Sequence, residues 1–212
     1  GAATAASADY DFLTAPLSAT ASVRFAAIAD TGGPSVTSAL AARILADMPD
    51  LVIHAGDIQY YSSIFESWQA WFGLMAPMLR SGPMLAAVGN HEDELNNMEF
   101  ADYYGRLWDQ PAFDGDVHRY HFASGGVHFI ALDTEGDLAV GSPQVAWFAA
   151  KLDEIEALPD YRFTIVYFHR PSYTLGDATP QLDLRASLDP LIASHNVPLV
   201  LAGHMHGYER FE

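Results

Sequence analysis

The chain has 212 residues, of which 50% are apolar, and it carries a formal net charge of −17 at pH 7. Its length fits one large domain or one domain plus a fragment, and its charge argues against nucleic acid or an anionic membrane as a partner, because both are bound through lysine and arginine. The absence of cysteine excludes a disulfide framework, a thiolate metal site and a cysteine nucleophile.

The chain begins with a leader, residues 1–22, in which residues 10–16 alternate in polarity like a strand. This leader is either disordered or contains the last strand of a preceding β-sandwich domain. At the other end, the sequence stops soon after Gly203-His204-Met205-His206, a loop that would need further structure to support it. We therefore expect residues 23–212 to form the main domain, and we expect the chain to be a fragment of a longer protein.

The main domain alternates between two hydrophobic patterns. Runs of apolar and β-branched residues, typical of buried strands, cover residues 23–29, 51–54, 84–88, 163–168 and 197–201. Segments with apolar residues near the 3.6-residue helical period cover residues 35–47, 64–79, 143–158 and 182–194. This alternation predicts an α/β layered fold, with helices flanking the strands.

A hairpin signal interrupts the alternation. Residues 118–122 and 127–132 flank Ser124-Gly125-Gly126, which predicts an antiparallel pair and therefore a mixed sheet. Residues 96–116, just before the hairpin, predict a long irregular segment. Its aromatic residues, such as Tyr104, are expected to pack rather than to bind substrate.

Side chains that bind metals follow each of the five predicted strands. They are Asp30, Asp57, Tyr60, Asn90, His169, His204 and His206. Because the carboxyl ends of parallel strands lie along one edge of a sheet, these side chains are expected to converge. A mixture of oxygen and imidazole donors suits divalent and trivalent metal ions, so the sequence predicts a metalloenzyme.

The order of these segments closely resembles that of the calcineurin-like metallophosphoesterase superfamily. The motif Gly56-Asp57-x-x-Tyr60 and the run from Gly203 to Arg210 are similar to motifs of the purple acid phosphatases. The resemblance implies a layered metallophosphoesterase-type β-sandwich flanked by helices, with a mixed sheet and a site at the strand carboxyl ends. Residues 23–212 would then be the catalytic domain, and a fragment would be truncated at its C-terminus.

The resemblance also implies a binuclear metal centre with a shared carboxylate. One ion would be held by Asp30, Tyr60 and His206, the second by Asn90, His169 and His204, and both by Asp57. The phenolate and two carboxylates favour Fe(III) at the first position, and the amide and imidazole donors favour Fe(II), Zn or Mn at the second. Two cations on a shared carboxylate lie ~3.5–4 Å apart, a separation suited to clamping a phosphoryl group.

The implied reaction is hydrolysis of phosphate monoesters by attack of a metal-bound hydroxide, with Asp57 and His91 as the catalytic residues. In the family, the histidine at the position of His91 faces the substrate, where it would stabilise the phosphoryl oxygens or protonate the leaving oxygen. The structural alternative is a loop histidine hydrogen-bonded to Glu92 or Asp93. Two other functions stay open: a phosphodiesterase of the same superfamily, and a truncated metal-binding domain without catalytic activity.

The loop after the fourth motif departs from the family pattern. Plant-type purple acid phosphatases carry substrate-facing histidines in this loop, whereas residues 170–179 contain none. Arg170 and Tyr173 are therefore the candidate substrate contacts, although Arg170 is equally suited to a structural ion pair. Histidines elsewhere are expected in core, surface, packing or helix-end positions: His54, His118, His121, His128 and His195.

The expected partner is a small phosphorylated substrate rather than nucleic acid or a membrane. No apolar stretch approaches the ~18–20 residues of a membrane span. The family resemblance implies a secreted or periplasmic location. The sequence does not indicate an oligomeric state.

Overall fold

A computed structural model describes residue 16 and residues 19–32, 34–60, 65–92, 98–108 and 117–212. The strand-like leader segment therefore lies outside the described residues, apart from Pro16, whose carbonyl accepts a hydrogen bond from the Gly125 N–H at 3.2 Å. Asp93 also lies outside them.

The strands of the described residues form two sheets rather than one. The first sheet is parallel, in the order β1-β2-β3, and consists of β1 (Phe25–Ile28), β2 (Leu51–Ala55) and β3 (Met84–Ala87). The second sheet, in the order β4-β5-β6-β7, consists of β4 (Tyr120–Ser124), β5 (Val127–Ala131), β6 (Phe163–Phe168) and β7 (Leu199–Ala202). Strands β4 and β5 pair antiparallel and the other pairs are parallel, which confirms the predicted mixed sheet.

Helices connect the strands close to the predicted positions. They are α1 (Pro34–Asp47), α2 (Phe65–Leu79), α3 (Met98–Leu107), α4 (Pro143–Glu156), α5 (Leu182–Ser187) and α6 (Asp189–Ser194). Pro143 occupies the first turn of α4, where its missing N–H is not needed, and the Ser142 hydroxyl caps the helix by accepting the Val145 N–H at 3.3 Å.

Two sequence predictions about helices were wrong. The segment predicted to be one helix, residues 182–194, is two helices that meet at Leu188, because Pro190 has no N–H to continue the first helix. The segment predicted to be irregular contains α3. Its packing depends on Tyr104 and Trp108, four positions apart, whose buried rings lie 6.1 Å apart against the first sheet's helical layer.

The core consists of three hydrophobic clusters, as expected for a β-sandwich with helices outside. One lies between the first sheet and its helices, one between the two sheets, and one between the second sheet and its helices. Val52 faces α1 and α2, while its neighbours Leu51 and Ile53 face the second sheet. In the second sheet, Ile165 and Tyr167 face the first sheet, and Val166 and Phe168 face α4. This alternation follows from the two-residue period of a strand and confirms the layered fold.

The two sheets are also joined by a buried hydrogen-bond network. The Tyr120 hydroxyl donates to the Ala86 carbonyl at 2.8 Å and lies 2.7 Å from the Tyr167 hydroxyl. These contacts fix the sheets relative to each other near the carboxyl ends of β3 and β6, where the predicted ligands begin. None of the described helices has the length and apolar character needed to cross a bilayer.

Candidate metal centre

Asp57 lies at the middle of the candidate site, two residues after the end of β2, and only 2% of its surface is exposed. Its Oδ2 lies 3.2 Å from the His169 Nε2, and its Oδ1 accepts the His91 N–H at 3.0 Å. Burial raises the pKa of the Asp57 carboxyl, but the hydrogen bond and charge of His169 and the His91 amide outweigh it, so the pKa is lowered overall. Asp57 is therefore a buried carboxylate, which a cation would stabilise.

The donors predicted to hold the second ion surround His169. Its Nε2 lies 3.1 Å from both the Asn90 Oδ1 and the His204 Nδ1. Ligand atoms of Asp57, His169 and His204 lie within 4.8 Å of one another, a spacing that could hold a metal ion. The His169 Nδ1 donates to the Ala55 carbonyl at 2.9 Å, which directs the Nε2 towards the site.

Protonation of His169 is coupled to metal binding. Burial lowers the pKa of His169, but the hydrogen bond and charge of Asp57 outweigh this effect and raise the pKa overall. Metal binding at the Nε2 would therefore compete with protonation of that nitrogen.

The donors predicted to hold the first ion are Asp30, Tyr60 and His206. The His206 Nε2 lies 2.7 Å from the Tyr60 hydroxyl and 3.2 Å from the Asp30 Oδ1. The Asp30 Oδ2 accepts the His204 N–H at 2.9 Å, whereas its Oδ1 is buried and makes no hydrogen bond. A buried carboxylate oxygen without a donor is costly in a protein interior, and a cation would satisfy it.

Tyr60 is neutral in this arrangement. Burial, followed by the negative charges of Asp30 and Asp57, raises the pKa of its phenol above the usual value. Coordination as a phenolate would therefore release a proton.

The backbone of the predicted ligands is unusual. Asp30, Asp57, His204 and His206 have positive φ angles of 57°, 52°, 69° and 55°. Asp and His tolerate the left-handed region better than most residues, but such positions still cost of order 1–3 kcal/mol each and cluster at functional sites. This strain independently marks the strand ends as the functional site.

Glycines next to the ligands allow close approach of the loops. Gly56, with a φ of 80°, provides a sharp turn directly before Asp57. Gly203 acts differently, because a Cβ there would lie 2.6 Å from the Ala55 carbonyl and 2.9 Å from the Asp30 Oδ2. Its role is to let three strand ends pack against one another.

Sequence reasoning missed the part played by Glu92, whose exposure is 1%. Its Oε1 accepts the N–H groups of Ile58 and Gln59 at 2.9 and 3.2 Å. Its Oε2 accepts those of Asp57 and Gly89 at 2.9 and 3.0 Å. Glu92 therefore ties the loop that carries Asp57 to the loop that carries Asn90.

The ionisation of Glu92 is set by opposing effects. Burial and the Asp57 charge raise its pKa to about 8, while backbone N–H groups favour the charged form. Each carboxyl oxygen faces two N–H donors, so a protonated oxygen would point its hydrogen at another donor. The geometry therefore favours the ionised form. Only its order in the motif, directly after Asn90-His91, could have pointed to this residue.

We expect Glu92→Gln to destabilise the protein. The amide –NH₂ would face two backbone N–H donors in the interior, which should lower the free energy of unfolding by at least about 2 kcal/mol. Urea denaturation of the metal-free protein measures this change, with Glu154→Gln, at an exposed position of α4, as the control. Equal stability of the two variants would contradict a clamping role for Glu92.

The remaining predicted residues lie at different distances from this centre. The Arg170 guanidinium pairs with Glu135, and its Nη1 lies 3.4 Å from the His204 Nε2. The Tyr173 hydroxyl donates to Asp189, and the Arg185 guanidinium lies 4.1 Å from its ring centre. No described contact joins Tyr173 to the ligands, so its contact with substrate stays a prediction.

Histidines outside the centre occupy packing positions, as expected. His54 is fully buried with its Nε2 2.8 Å from the Thr31 hydroxyl, and burial lowers its pKa to about 3. His121 and His128 stack on each other, His118 stacks on Tyr104, and His195 lies near the Leu191 carbonyl.

The arrangement of donors at the strand ends defines a metal-binding α/β protein. Residues 23–208 match the calcineurin-like phosphoesterase family, so the chain belongs to this family. This match confirms the family resemblance seen in the sequence.

Known relatives bear purple acid phosphatase names. Purple acid phosphatase 22 of Arabidopsis thaliana is 28% identical over 213 residues, covering 96% of this chain and 48% of the relative. Probable inactive purple acid phosphatase 9 of the same plant is 29% identical over 197 residues, covering 78% of this chain and 30% of the relative. The chain thus spans about half the length, or less, of the curated relatives that it matches.

A solved structure supports the fold. Purple acid phosphatase PPD1 from yellow lupin (Lupinus luteus) seeds superimposes with a TM-score of 0.81 at 20% identity, covering 93% of this chain and 40% of that chain. At this identity, the likeness is evidence for the fold alone.

Proposed function

We propose that the protein hydrolyses phosphate monoesters at a binuclear metal centre. The observation that carries the proposal is the position of Asp57 beside both donor groups. On one side, its Oδ2 lies 3.2 Å from His169. On the other side, the Gly56 and Asp57 carbonyls accept the N–H groups of Asp30 and Thr31 at 3.1 and 3.0 Å, which holds the Asp30 loop beside Asp57.

The donor chemistry supports different ions at the two positions. Asp30, Tyr60 and His206, with Asp57, would suit Fe(III), because carboxylates and a phenolate are hard anionic ligands. Asn90, His169 and His204, with the same carboxylate, would suit Fe(II), Zn or Mn. Bound ions would supply a hydroxide nucleophile near neutral pH and neutralise the phosphoryl oxygens.

The protein's own side chains supply the remaining chemistry. The His91 Nε2 lies 3.8 Å from the Asp57 Oδ2, and its side chain is 31% exposed, so it borders the centre from the solvent side. From there it would donate a hydrogen bond to the phosphoryl group or a proton to the leaving oxygen. The phosphatase names of the relatives favour monoesters as the substrate class.

One observation favours a second candidate, a metal-binding domain without catalytic activity. A relative is named as probably inactive, and the match covers only 30% of its length. An assay of the metal-loaded protein separates the candidates. The substrates are an aryl phosphate monoester and a bis-aryl phosphate diester, each with and without a chelator. Chelator-sensitive hydrolysis of the monoester supports the proposal, faster hydrolysis of the diester indicates a phosphodiesterase, and bound metal without turnover indicates the inactive domain.

A colour test addresses the Tyr60 ligand. A phenolate on Fe(III) produces a charge-transfer band in the visible, so iron-loaded, oxidised protein should be purple. Tyr60→Phe should abolish this band at unchanged iron content, because the hydroxyl that lies 2.7 Å from His206 is removed. Absorption spectroscopy with metal analysis measures the result.

Tyr61→Phe is the matched control for this test, since it removes a neighbouring phenol whose position lies outside the described residues. It should leave the band intact. A colourless wild type with full iron occupancy, or a band that survives in Tyr60→Phe, would remove Tyr60 from the metal ligands.

A further inference from the structure

The end of β5 contributes a loop to the site that the sequence motifs do not reveal. Strands β5 and β6 pair in parallel, with Ala131 opposite Tyr167, so the residues that follow each strand lie side by side. The Arg170 N–H donates to the Thr134 hydroxyl at 3.0 Å. The loop after β5 therefore holds the backbone directly after the predicted ligand His169.

The same loop also holds the Arg170 side chain. Its Nε lies 2.7 and 3.0 Å from the two Glu135 carboxylate oxygens, and its Nη2 donates to the Glu135 Oε2 at 2.9 Å. The Glu135 side chain is 11% exposed, and this forked pairing fixes the plane of the guanidinium.

Glu135 is itself held in place. Its backbone N–H donates to the Asp133 Oδ1 at 2.8 Å, and the Asp133 N–H donates to the Gln144 Oε1 at 2.8 Å. Gln144 is 6% exposed at the start of α4. A chain of contacts thus anchors the guanidinium to a buried helix end.

The fork leaves one nitrogen of Arg170 beside the predicted ligand His204. Glu135 takes the Nε and Nη2, and the Nη1 lies 3.4 Å from the His204 Nε2. The other ring nitrogen of His204 faces the ligand group, 3.1 Å from the His169 Nε2. A neutral His204 that binds a metal through its Nδ1 carries its hydrogen on the Nε2, which then cannot accept from Arg170.

We propose that Arg170 binds a phosphoryl oxygen of the substrate through its Nη1, and that Glu135 is the positioning residue that aims it there. This inference rests on the proposed function and specifies its substrate class. Because Glu135 neutralises the arginine, the contribution is a directed hydrogen bond to an anionic oxygen rather than a net positive charge. A monoester dianion has one more such oxygen than a diester, so Arg170 favours monoesters.

The experiment compares Arg170→Gln, Arg170→Lys and Glu135→Gln with the wild type, each loaded with metal and checked for metal content. Arg43→Gln is the matched control, since it breaks an exposed ion pair with Asp47 on α1. Equilibrium binding of inorganic phosphate is measured by calorimetry. The kinetic constants kcat and KM are measured with an aryl phosphate monoester and a bis-aryl phosphate diester.

Arg170→Gln should weaken phosphate binding and raise the monoester KM about 10- to 100-fold, the usual value of a hydrogen bond to a charged group. Its kcat and its KM for the diester should change less. Arg170→Lys should not restore binding, because an ammonium cannot occupy the Glu135 fork and reach the site together. Glu135→Gln should cause a smaller loss of the same kind, and Arg43→Gln none.

Unchanged phosphate affinity in Arg170→Gln, at full metal content, would overturn the inference and make the pair a purely structural link between two loops. Full rescue by Arg170→Lys would overturn the positioning role of Glu135. A wild type that binds phosphate without hydrolysing esters would refute the proposed function alone, and the calorimetric comparison would still decide the role of Arg170. A wild type that does neither would refute both.

Discussion

Asp57→Asn is expected to abolish hydrolysis and to lower the occupancy of both metal positions. Asp57 contacts His169 through its carboxylate and the Asp30 loop through its backbone, and the carboxylate charge would offset part of the charge of two cations. The neutral amide removes that charge while keeping almost the same shape. Without it, two cations at ~3.5–4 Å would repel each other with less compensation.

Asp57→Asn removes the negative charge of residue 57 while keeping its backbone conformation and hydrogen bonds. Asp57 has a φ of 52°, a conformation that asparagine adopts as readily as aspartate and that alanine does not. An asparagine Oδ1 can still accept the His91 N–H, and the Glu92 contact involves only the backbone of residue 57. The fold should therefore persist.

Metal analysis and aryl phosphate turnover measure the effect, and Asp47→Asn on the exposed end of α1 is the control. We expect turnover to fall to that of the chelated wild type, and the control to behave like the untreated wild type. A variant that retains two ions per chain and near-normal turnover would show that Asp57 is not the bridge.

The positions of the seven predicted ligands could be predicted from the sequence because each lies in the loop that follows an apolar strand. Burial on both faces favours apolar residues along such runs, as at every position of β2 except His54. The structure brings these side chains together, and their coordination of metal stays a prediction. What the runs did not reveal is that β1, β2 and β3 belong to one sheet and β6 and β7 to another. Strand order depends on contacts between sheets, which no local pattern contains.

The supporting residues were harder to predict for a different reason. Glu92 and Glu135 act through hydrogen bonds to groups that are 33–35 residues away in sequence. Neither lies in a periodic pattern, and a glutamate in a polar loop is usually solvated. Their roles become visible only when the loops are placed side by side. The helix α3 was missed because its sequence mixes acidic, glycine and aromatic residues, and tertiary packing of Tyr104 decides its conformation.

His91→Ala is expected to leave the metal centre intact but to lower kcat by about 10²–10⁴-fold, the usual contribution of one acid–base or oxyanion-stabilising group. The residue is anchored by its backbone, whose N–H donates to the Asp57 Oδ1, and alanine keeps that bond. Its ring packs edge-on against Tyr60 with the centroids 4.7 Å apart, so only one face of that phenol loses a neighbour. A hydrogen bond to Glu92, one form of the structural alternative, is disfavoured because the Glu92 oxygens already accept backbone N–H groups, and Asp93 lies outside the described residues.

The test therefore distinguishes a role of His91 in the reaction from a role in assembling the metal centre. Metal content and the visible band of the iron-loaded protein should match the wild type in His91→Ala, while kcat for an aryl phosphate falls. His195→Ala, which removes a histidine at the end of α6, is the control and should retain full kcat. A normal kcat in His91→Ala would assign His91 to loop packing. A loss of both metal and colour would instead assign it to the support of Tyr60 and Asp57.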